Sequence, residues 1–580
     1  MQTAFFDIET DGLKATKIHC ICAMLNDDEP TVYNFIGEDN VRQFEEWLLS
    51  EDVRTIVGHN IIGFDIPTLR LVSGFKWDFA VRDTLVLSRL ANPSLDGGHS
   101  LRNWGNKLGN FKDDYDGGWE TYSTEMLKYC QQDVRVTKVL YRHLEKQLED
   151  VEEQAIDLEH EVFRIIKGQE DNGMSFDEVK AFNLLAELKE KVLTIEDKVH
   201  ERFKPLPTFV ELTVLKNPKR KDGTNSVAYQ KQLDRGAFFQ RSVWGYMDYP
   251  TFNLASRQQV ARHLQHFGWK PKKFTDKGSI IVDEKALAGV DIPEAQLILE
   301  YFTISKRVAM VKSWIEAVDE VDSRVHGRVN SCGAVTGRMT HSKPNLAQVP
   351  ASYSPYGKEC RELWIVPKGK KLVGMDASGL ELRMLAHYMD DKDYTEEILN
   401  GDIHTANQVA AGLQSRDSAK TFIYAFLYGA GDGKIGEVVG GTAKDGKKLK
   451  ADFLNNTPSL RKLRGDVRQR SEKGWLRGLD GRKLWIRSPH LALNTLLQSA
   501  GAIVMKQALI LLEKYAILYN IDYKFVLNVH DEIQSEVRED QAEQFGQLAV
   551  SCMQRAGEDF NLNCRLDGEY KVGETWEQTH

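Results

Sequence analysis

A short apolar strand that ends in an aspartate opens residues 371–383, KLVGMDASGLELR. Small residues follow Asp376 and lead into a helical run, so the carboxylate comes at a strand end beside a tight backbone turn. A carboxylate in that position suits a hard divalent cation that also binds phosphate. Taken alone, however, the pattern is better explained by a surface aspartate that caps a helix.

A second stretch, residues 524–537 or KFVLNVHDEIQSEV, favours the metal interpretation. Two β-like apolar runs flank His530, Asp531 and Glu532, which predicts a hairpin whose turn type stays open. An acidic pair at a hairpin tip repels itself unless a cation lies there. If the hairpin pairs with the strand before Asp376, then Asp376 and Asp531 converge. They can then bridge two magnesium ions about 4 Å apart, as in phosphoryl transfer.

The whole chain sets bounds on this interpretation. Its 580 residues are enough for several domains, and a net charge of −9 means that any contact with DNA uses local basic patches. Such patches occur at residues 216–221, 270–273 and 444–450, although each equally fits a solvated loop. Seven cysteines without a CxxC pair indicate a reducing compartment without disulfides or a zinc site. No signal peptide and no apolar run of membrane length is apparent, so we expect no membrane contact.

Residues 1–145 have the pattern of an α/β domain in which acids recur at ordered spacings. The order is D-x-E on a strand, N-x4-D into a helix and Y-x3-D on a later helix: Asp7, Glu9, Asp65, Tyr129 and Asp133. Residues two apart on a strand share a face, as do residues four apart on a helix. Any one acid alone is a surface or capping residue, but the ordered set is more specific. It predicts that the four carboxylates converge.

This ordered set resembles the proofreading 3′→5′ exonuclease domains of DNA polymerases, which share an RNase H-like (DnaQ-like) fold. The resemblance implies that Asp7, Glu9, Asp65 and Asp133 hold two metal ions. It also implies that Tyr129 orients the attacking water.

The middle of the chain has weaker signals. Residues 146–300 are mostly helical and charged, and prolines within residues 205–250 predict an extended, mobile insertion. Positive charge here suits a duplex backbone, but a solvated helical bundle is the serious alternative. Residues 325–350 indicate loop and turn, yet they carry Arg338 and Gln348, which can reach phosphate or minor-groove acceptors.

One helical stretch has the chemistry of a nucleotide site. Arg416, Lys420, Tyr424 and Tyr428 recur every fourth residue, and so lie along one slowly winding helix face. Two cations followed by two aromatic rings suit a triphosphate at one end and a sugar and base at the other. Without the carboxylates, solvent-facing cations and core tyrosines would be the better interpretation.

The order of motifs from TGRMTH through PNLAQVP, DASGLE, GDIHT, RDSAKTFIYAFLYGAG and LNTLLQSAGA to VHDE resembles family A DNA polymerases. More narrowly, it is similar to the replicative polymerases of T-seven-type podoviruses. The resemblance implies an α/β and α+β multidomain fold, in which the exonuclease domain is followed by a right-hand polymerase. The expected domains are exonuclease 1–145, connecting helices and thumb 146–310, first palm part 311–383, fingers 384–495 and second palm part 496–580.

The resemblance also implies three groups of polymerase site residues. The metal and catalytic group is Asp376, the Ala377 carbonyl, Asp531 and Glu532. The nucleotide group is Glu381, His404, Arg416, Lys420, Tyr424 and Tyr428. The group that contacts DNA is Arg338, Gln348, Gln498 and His530. Lys420 would also serve catalysis, Tyr424 would tune deoxy against dideoxy sugars, and Glu381 would help exclude a 2′-hydroxyl.

The implied function is template-directed DNA synthesis with 3′→5′ proofreading, in replication of a phage genome in the cytoplasm of an infected bacterium. The implied cofactors are two Mg²⁺ ions in each site, with Mn²⁺ as a substitute. The implied partners are primer-template DNA, dNTPs, a phage helicase-primase and a single-stranded DNA-binding protein. Only residues 205–250 correspond to the long thumb insertion by which a well-known relative captures host thioredoxin, so we do not expect thioredoxin to be required. A nuclease with a decayed polymerase half and a non-catalytic DNA scaffold are the rival classes.

Overall fold

The computed structural model describes residues 2–26, 31–74, 79–112, 114–287 and 289–580. The chain divides into two compact units. The first unit comprises Met1–Phe176, Val318–Ala351 and Trp364–His580, and the second comprises Asp177–Ala317 and Ser352–Leu363.

A mixed sheet with helices begins the first unit. Its elements are β1 (Gln2–Thr10), β2 (Ile18–Leu25), β3 (Tyr33–Ile36), α1 (Asn40–Ser50), β4 (Val53–Gly58), α2 (Asp65–Ser73), β5 (Ala80–Asp83), α3 (Thr84–Ala91), α4 (Leu101–Leu108), α5 (Thr124–Gln147), α6 (Glu153–Asn172) and β6 (Met174–Phe176). The sheet order is β3-β2-β1-β4-β5, with β1 antiparallel to β2 and parallel to β4. The strand predicted to carry Asp7 and Glu9 is therefore confirmed as β1.

The second unit is mainly helical. Its elements are α7 (Glu178–Arg202), β7 (Thr208–Glu211), α8 (Val227–Asp234), β8 (Phe238–Gln240), β9 (Val243–Asp248), α9 (Arg257–His266), α10 (Glu284–Leu287), α11 (Pro293–Ile315) and α12 (Gly357–Arg361). Residues 205–250, expected as an extended, mobile insertion, contain the helix α8 and a small sheet formed by β7, β9 and β8. Trp244 anchors that sheet: its buried indole contacts Phe239 and donates a hydrogen bond to Gln232 Oε1 at 2.9 Å.

The rest of the first unit surrounds an antiparallel sheet. Its elements are β10 (Arg324–Val325), β11 (Arg328–Asn330), β12 (Thr340–Ser342), β13 (Trp364–Ile365), β14 (Lys370–Ala377), α13 (Leu380–Met389), α14 (Lys392–Leu399), α15 (Ile403–Ala411), α16 (Arg416–Leu427), α17 (Asp432–Val438), α18 (Ala443–Asn456), α19 (Pro458–Arg470), β15 (Trp475–Arg477), β16 (Lys483–Trp485), α20 (Ala492–Leu518), β17 (Tyr523–Val529), β18 (Glu532–Arg538), α21 (Ala542–Asp559) and β19 (Gly568–Gly573). The sheet order β17-β18-β14-β19 places β14 between two antiparallel partners. Residues 325–350, expected as loop and turn, also contain the paired strands β11 and β12.

One stretch of the described residues, Pro489–Leu518, is long and apolar enough to cross a membrane, which corrects the expectation that no run approaches that length. Within the protein, 83% of its 18-residue window is buried. Helix α20 makes up most of this stretch and contributes Leu496, Ile503 and Leu509 to the largest hydrophobic cluster. It is therefore the central helix of the first unit.

Candidate functional site

The carboxylates of Asp376 and Asp531 belong to adjoining strand ends. Asp376 pairs with Glu532 in the β14–β18 ladder, and the Ala377 N–H donates to the Asp531 carbonyl oxygen at 3.0 Å. His530 and Asp531 form the turn between β17 and β18, with His530 at φ 57°. The strand registers thus bring together the two acids that the sequence singled out.

The acids of this site repel one another. Desolvation and the carboxylates of Asp531 and Glu532 raise the pKa of Asp376 to about 7. Burial and the nearby Glu381 carboxylate likewise raise the pKa of Asp531. Such crowding of carboxylates favours the binding of a cation. The donor set of hard oxygens, two carboxylates and the Ala377 carbonyl, fits Mg²⁺.

Glu532 is held by the side chains of three other residues. Its Oε1 accepts hydrogen bonds from Trp576 Nε1 and Gln534 Nε2, both at 2.6 Å. Its Oε2 lies 3.0 Å from His580 Nδ1. Although Glu532 is buried, these partners lower its pKa, His580 most strongly. Glu532 therefore has its own partners at the hairpin tip, which the sequence did not reveal.

Glu381 on α13 contacts two other residues predicted to lie in the site. Its Oε1 accepts a hydrogen bond from Tyr428 Oη at 2.9 Å and lies 3.3 Å from Arg338 Nη2. Arg338 and His530 line one small cavity. Of the other two residues of the predicted DNA group, Gln348 is exposed at the end of a 3-10 turn, and Gln498 is half-buried on α20.

Helix α16 presents the predicted nucleotide face. Ala419, Phe422 and Ile423 are buried, while Arg416 and Lys420 are exposed. The Tyr424 ring lies between His404 and Tyr428, with centroid distances of 6.3 and 6.5 Å. The four side chains therefore share one face, as the spacing predicts.

Arg416 already has a partner at the start of this face. Its guanidinium binds the Asp402 carboxylate through two hydrogen bonds of 2.7 and 3.2 Å. These bonds hold the pKa of Asp402 well below its usual range. Asp402 also caps α15, since it accepts from the His404 and Thr405 N–H groups. The Arg416–Asp402 pair thus links α16 to the start of α15.

A second cluster of acids lines a cleft of about 870 Å³ beside the first sheet. It is lined by the four predicted acids, Asp7, Glu9, Asp65 and Asp133. Tyr129, Trp119 and Lys112 also line it. Burial and repulsion from Asp133 and Asp65 raise the pKa of Asp7 well above its usual range. The same causes, burial first, raise the pKa of Glu9 to about 9. Burial, followed by Asp83, raises the pKa of Asp65 to about 8.

Lys112 is a residue of this cleft that the sequence did not indicate. Its ammonium binds the Asp133 carboxylate and lies 4.4 Å from the centroid of the Tyr129 ring. Burial lowers the pKa of Lys112, but Asp133 and Asp7 raise it more, so it stays protonated. A lone lysine in a polar loop has no periodicity or spacing that marks it, so only the fold reveals this contact.

Asp83 stabilises the loop that precedes α2. Its carboxylate accepts hydrogen bonds from the N–H groups of Asn60, Ile62 and Leu85 at 2.8, 3.1 and 2.9 Å. Its own N–H donates to Nε2 of His160 on α6 at 2.8 Å. This network fixes the loop that leads into α2 and thereby positions Asp65.

Comparisons with known proteins find relatives by sequence and by structure. A sequence model of the family described as DNA polymerase family A matches residues 228–578. The chain is 36% identical to the DNA-directed DNA polymerases of Enterobacteria phage T3 and Escherichia phage T7, over 99% of this chain and 99% of each relative. The solved POL domain of Pol1 from M. smegmatis, in complex with DNA primer-template and dNTP, has a TM-score of 0.79 at 17% identity. That match covers 100% of this chain and 96% of the solved one.

Proposed function

The chain belongs to DNA polymerase family A, and from this premise we propose that it extends a DNA primer by template-directed addition of nucleotides. The observation that carries the proposal is the pairing of β14 with β18, which sets Asp376 beside Asp531. The α16 face beside Tyr428 supplies the positive charge and aromatic rings that a dNTP needs.

Family A polymerases are metal-dependent nucleotidyltransferases. We propose that Asp376, the Ala377 carbonyl and Asp531 hold two Mg²⁺ ions, with Mn²⁺ as a substitute. When bound, the ions activate the attacking oxygen and stabilise the leaving oxygen. Glu532, held by Trp576 and His580, adds negative charge beside this set.

The remaining polymerase residues orient the substrates. Phosphate oxygens are bound by Lys420, Arg416 and His404. Lys420 also takes part in catalysis. Tyr424 faces the sugar, where it decides between deoxy and dideoxy substrates, and Glu381 excludes a 2′-hydroxyl. Tyr428 contacts the nascent pair, and His530 contacts the primer end. Three residues track minor-groove acceptors, which all correct pairs share: Arg338, Gln348 and Gln498.

We propose 3′→5′ exonucleolytic proofreading as the second activity, in a cleft that already gathers four acids. Asp7, Glu9, Asp65 and Asp133 are the proposed ligands of two further Mg²⁺ ions, and Tyr129 orients the attacking water. The wall of the cleft is aromatic, with the ring centroids of Trp119 and Tyr129 6.3 Å apart. This wall and the size of the cleft suit the unstacked bases of a frayed strand.

The proposed setting is replication of a phage genome in the cytoplasm of the infected bacterium. A helicase-primase and a single-stranded DNA-binding protein are the proposed partners, alongside primer-template DNA and dNTPs. The proposed domains are exonuclease 1–145, connecting helices and thumb 146–310, palm 311–383 and 496–580, and fingers 384–495.

The test is extension and degradation of a labelled primer with Mg²⁺, with and without nucleotides. We expect Asp376→Ala or Asp531→Ala to lower extension by several orders of magnitude, because each metal supplies several kcal/mol at the transition state. We expect Asp7→Ala with Glu9→Ala to abolish degradation and leave extension largely intact. Near-normal extension by either the Asp376 or the Asp531 variant would refute the assignment of those acids. Degradation without extension in the parent chain would support the decayed-polymerase alternative, and no activity in the parent chain would support the scaffold.

A further inference from the structure

The small sheet β7-β9-β8 has one face that packs against α8 and one that is partly exposed. Tyr229 of α8 stacks on the buried Trp244 with ring centroids 6.0 Å apart, and the Phe239 ring centroid lies 4.9 Å from the same indole. Trp244 and Phe239 are paired in the β8–β9 ladder, so they share a face. Because side chains alternate along a strand, the neighbouring positions form the opposite face, which we call the open face: Phe209, Phe238, Val243 and Met247.

The open face presents aromatic rings to solvent. Phe209 and Phe238 form an edge-to-face pair with ring centroids 5.7 Å apart. Gly245, which pairs with Phe238, has no side chain, and the tip of the Phe209 ring takes that place: a Cβ there would lie 2.5 Å from Phe209 Cζ. Phe238 is 41% exposed and Val243 is 37% exposed. The glycine therefore lets the two rings lie side by side on the sheet, where a flat ligand can stack on them.

The segment that carries the open face is positively charged, although the whole chain is not. Residues 205–250 contain seven lysines and arginines against four acids, whereas the chain has a net charge of −9. Arg241 lies in the turn between β8 and β9, next to the Gln240–Val243 pair that ends the open face. It is exposed, and among the described residues no carboxylate forms an ion pair with it. A free cation beside aromatic rings is the combination that binds a phosphate together with its base.

We propose that the open face binds single-stranded DNA, with bases stacked on Phe209 and Phe238 and a backbone phosphate on Arg241. Every base has a π-face, so this binding needs no particular sequence. The bases of a duplex stack on one another and offer no such face. A protein partner would need about 800 Å² of surface, more than four side chains offer when the most exposed of them is 41% exposed. The residues of this contact belong to neither proposed catalytic site, so it is an addition to the proposed function.

The experiment uses the full chain in EDTA, where a metal-dependent nuclease degrades no DNA. The probe is a single-stranded oligothymidylate that carries one 5-iododeoxyuridine. Ultraviolet light joins that base to an aromatic ring stacked on it, and mass spectrometry of the digested chain locates the crosslink. We expect a crosslink at Phe209 or Phe238 whose yield saturates with DNA concentration. The same sequence annealed into a duplex should give no saturable crosslink at either residue.

Substitutions at Phe238 separate stacking from packing. Phe238→Ala should raise the half-saturating DNA concentration for the Phe209 crosslink by about tenfold, as the loss of one stacked base would. Phe238→Leu should have the same effect, because leucine keeps an apolar side chain without a ring, whereas Phe238→Tyr should bind as the parent chain does. Phe239→Ala is the matched control, since Phe239 is the next residue and is 60% exposed, but belongs to the face that packs against α8. Arg241→Gln should reduce, by about 0.7, the slope of the logarithm of the binding constant against the logarithm of the salt concentration.

The absence of a crosslink at both Phe209 and Phe238 in the parent chain would overturn the proposal. Equal losses in Phe238→Ala and Phe239→Ala, or an equal crosslink with duplex DNA, would also overturn it. A second copy of the chain on the open face would appear in sedimentation as a dimer that Phe238→Ala dissociates, and this result too would refute the proposal. The crosslink needs no catalysis. A chain that shows it but extends no primer would refute the proposed polymerase function and keep this contact, and extension without the crosslink would refute this contact alone.

Discussion

Lys112 places one positive charge among the acids of the proposed exonuclease cleft, and its removal should change how strongly that cleft binds metal. In Lys112→Met the acids lose their internal counter-charge, so the metal-free chain should lose about 3 kcal/mol of stability, as when one partner of a buried pair is removed. Because the acids then repel one another more, divalent cations should stabilise the variant more than they stabilise the parent.

The measurement for Lys112 is thermal unfolding in EDTA and in Mn²⁺. Lys112→Arg is the matched control, since it retains the charge. If Mn²⁺ raises the melting temperature of Lys112→Met no more than that of the parent chain, Lys112 is not the counter-charge of these acids.

His160 makes the stability of the first unit depend on pH. Its Nε2 accepts a hydrogen bond from the Asp83 N–H, while Nδ1 donates to the Ile156 carbonyl oxygen at 2.7 Å. Burial lowers the pKa of His160 from 6.5 to about 4. Because the folded state favours the neutral form of His160, this residue contributes its full stability above pH 6.5. That contribution is lost as pH falls through 4.

When pH falls from 7 to 5, the free energy of unfolding of the parent chain should fall by about 2 kcal/mol because of His160. His160→Gln should lack that part of the pH dependence, because an amide does not titrate. Denaturant titrations of both chains at the two pH values give the difference. Equal losses in both chains would assign the pH dependence to other groups.

At the scale of elements, a buried group of four charges joins α6, α20 and the β15–β16 hairpin. Glu159 Oε1 lies 2.5 Å from Lys506 Nζ and 2.6 Å from Arg482 Nη1, and Arg482 also binds Asp480 at 2.6 Å. These side chains are at most 2% exposed. Glu159→Gln leaves two buried cations with one acid, so we expect a loss of about 3–5 kcal/mol.

Denaturant unfolding measures this loss, and Glu362→Gln provides the control. Glu362 pairs with Lys180 at 2.6 Å, but both side chains are partly exposed. Exposed pairs contribute about 0–1 kcal/mol, so the control should unfold almost as the parent chain does. A loss in Glu159→Gln as small as that in the control would mean that the buried group does not hold these elements together.

These elements also show what a sequence can and cannot reveal. Strand ends and helix faces were predictable because local periodicity sets them, as at Asp376 and along Arg416–Leu427. The Glu159–Lys506 contact was not predictable, since it joins residues far apart in the chain and carries no local pattern. The small sheet around Trp244 was missed because neighbouring prolines suggested an extended segment.

At the scale of the whole molecule, the second unit offers a basic surface that should determine processivity. Lys216, Lys219, Arg220 and Lys221 lie exposed between β7 and α8. We expect this surface to hold duplex DNA directly. Product length should then fall steeply with salt, because phosphate contacts release counterions, and added thioredoxin should not restore it.

The measurement is product length in a single binding event, across a salt series, with and without thioredoxin. Alanine at all four positions should shorten the product. It should also reduce, by up to about 4, the slope of the logarithm of the DNA-binding constant against the logarithm of the salt concentration. Alanine at Lys444, Lys447 and Lys448, which lie exposed on α18, is the control for a general loss of positive charge. A large lengthening by thioredoxin at physiological salt would show that a protein partner, not this surface, retains the DNA.

The order of strands in the antiparallel sheet has a consequence for synthesis on the ribosome. Strand β14 leaves the ribosome early, but its neighbour β18 is made only after the helices α13 to α20, and its neighbour β19 only after α21 as well. At about 5–20 residues per second, β14 waits roughly 8–30 s for β18. During that time both its edges are open to pairing with other chains. The polymerase site is thus assembled late in translation, and the nascent chain needs protection from aggregation while β14 waits.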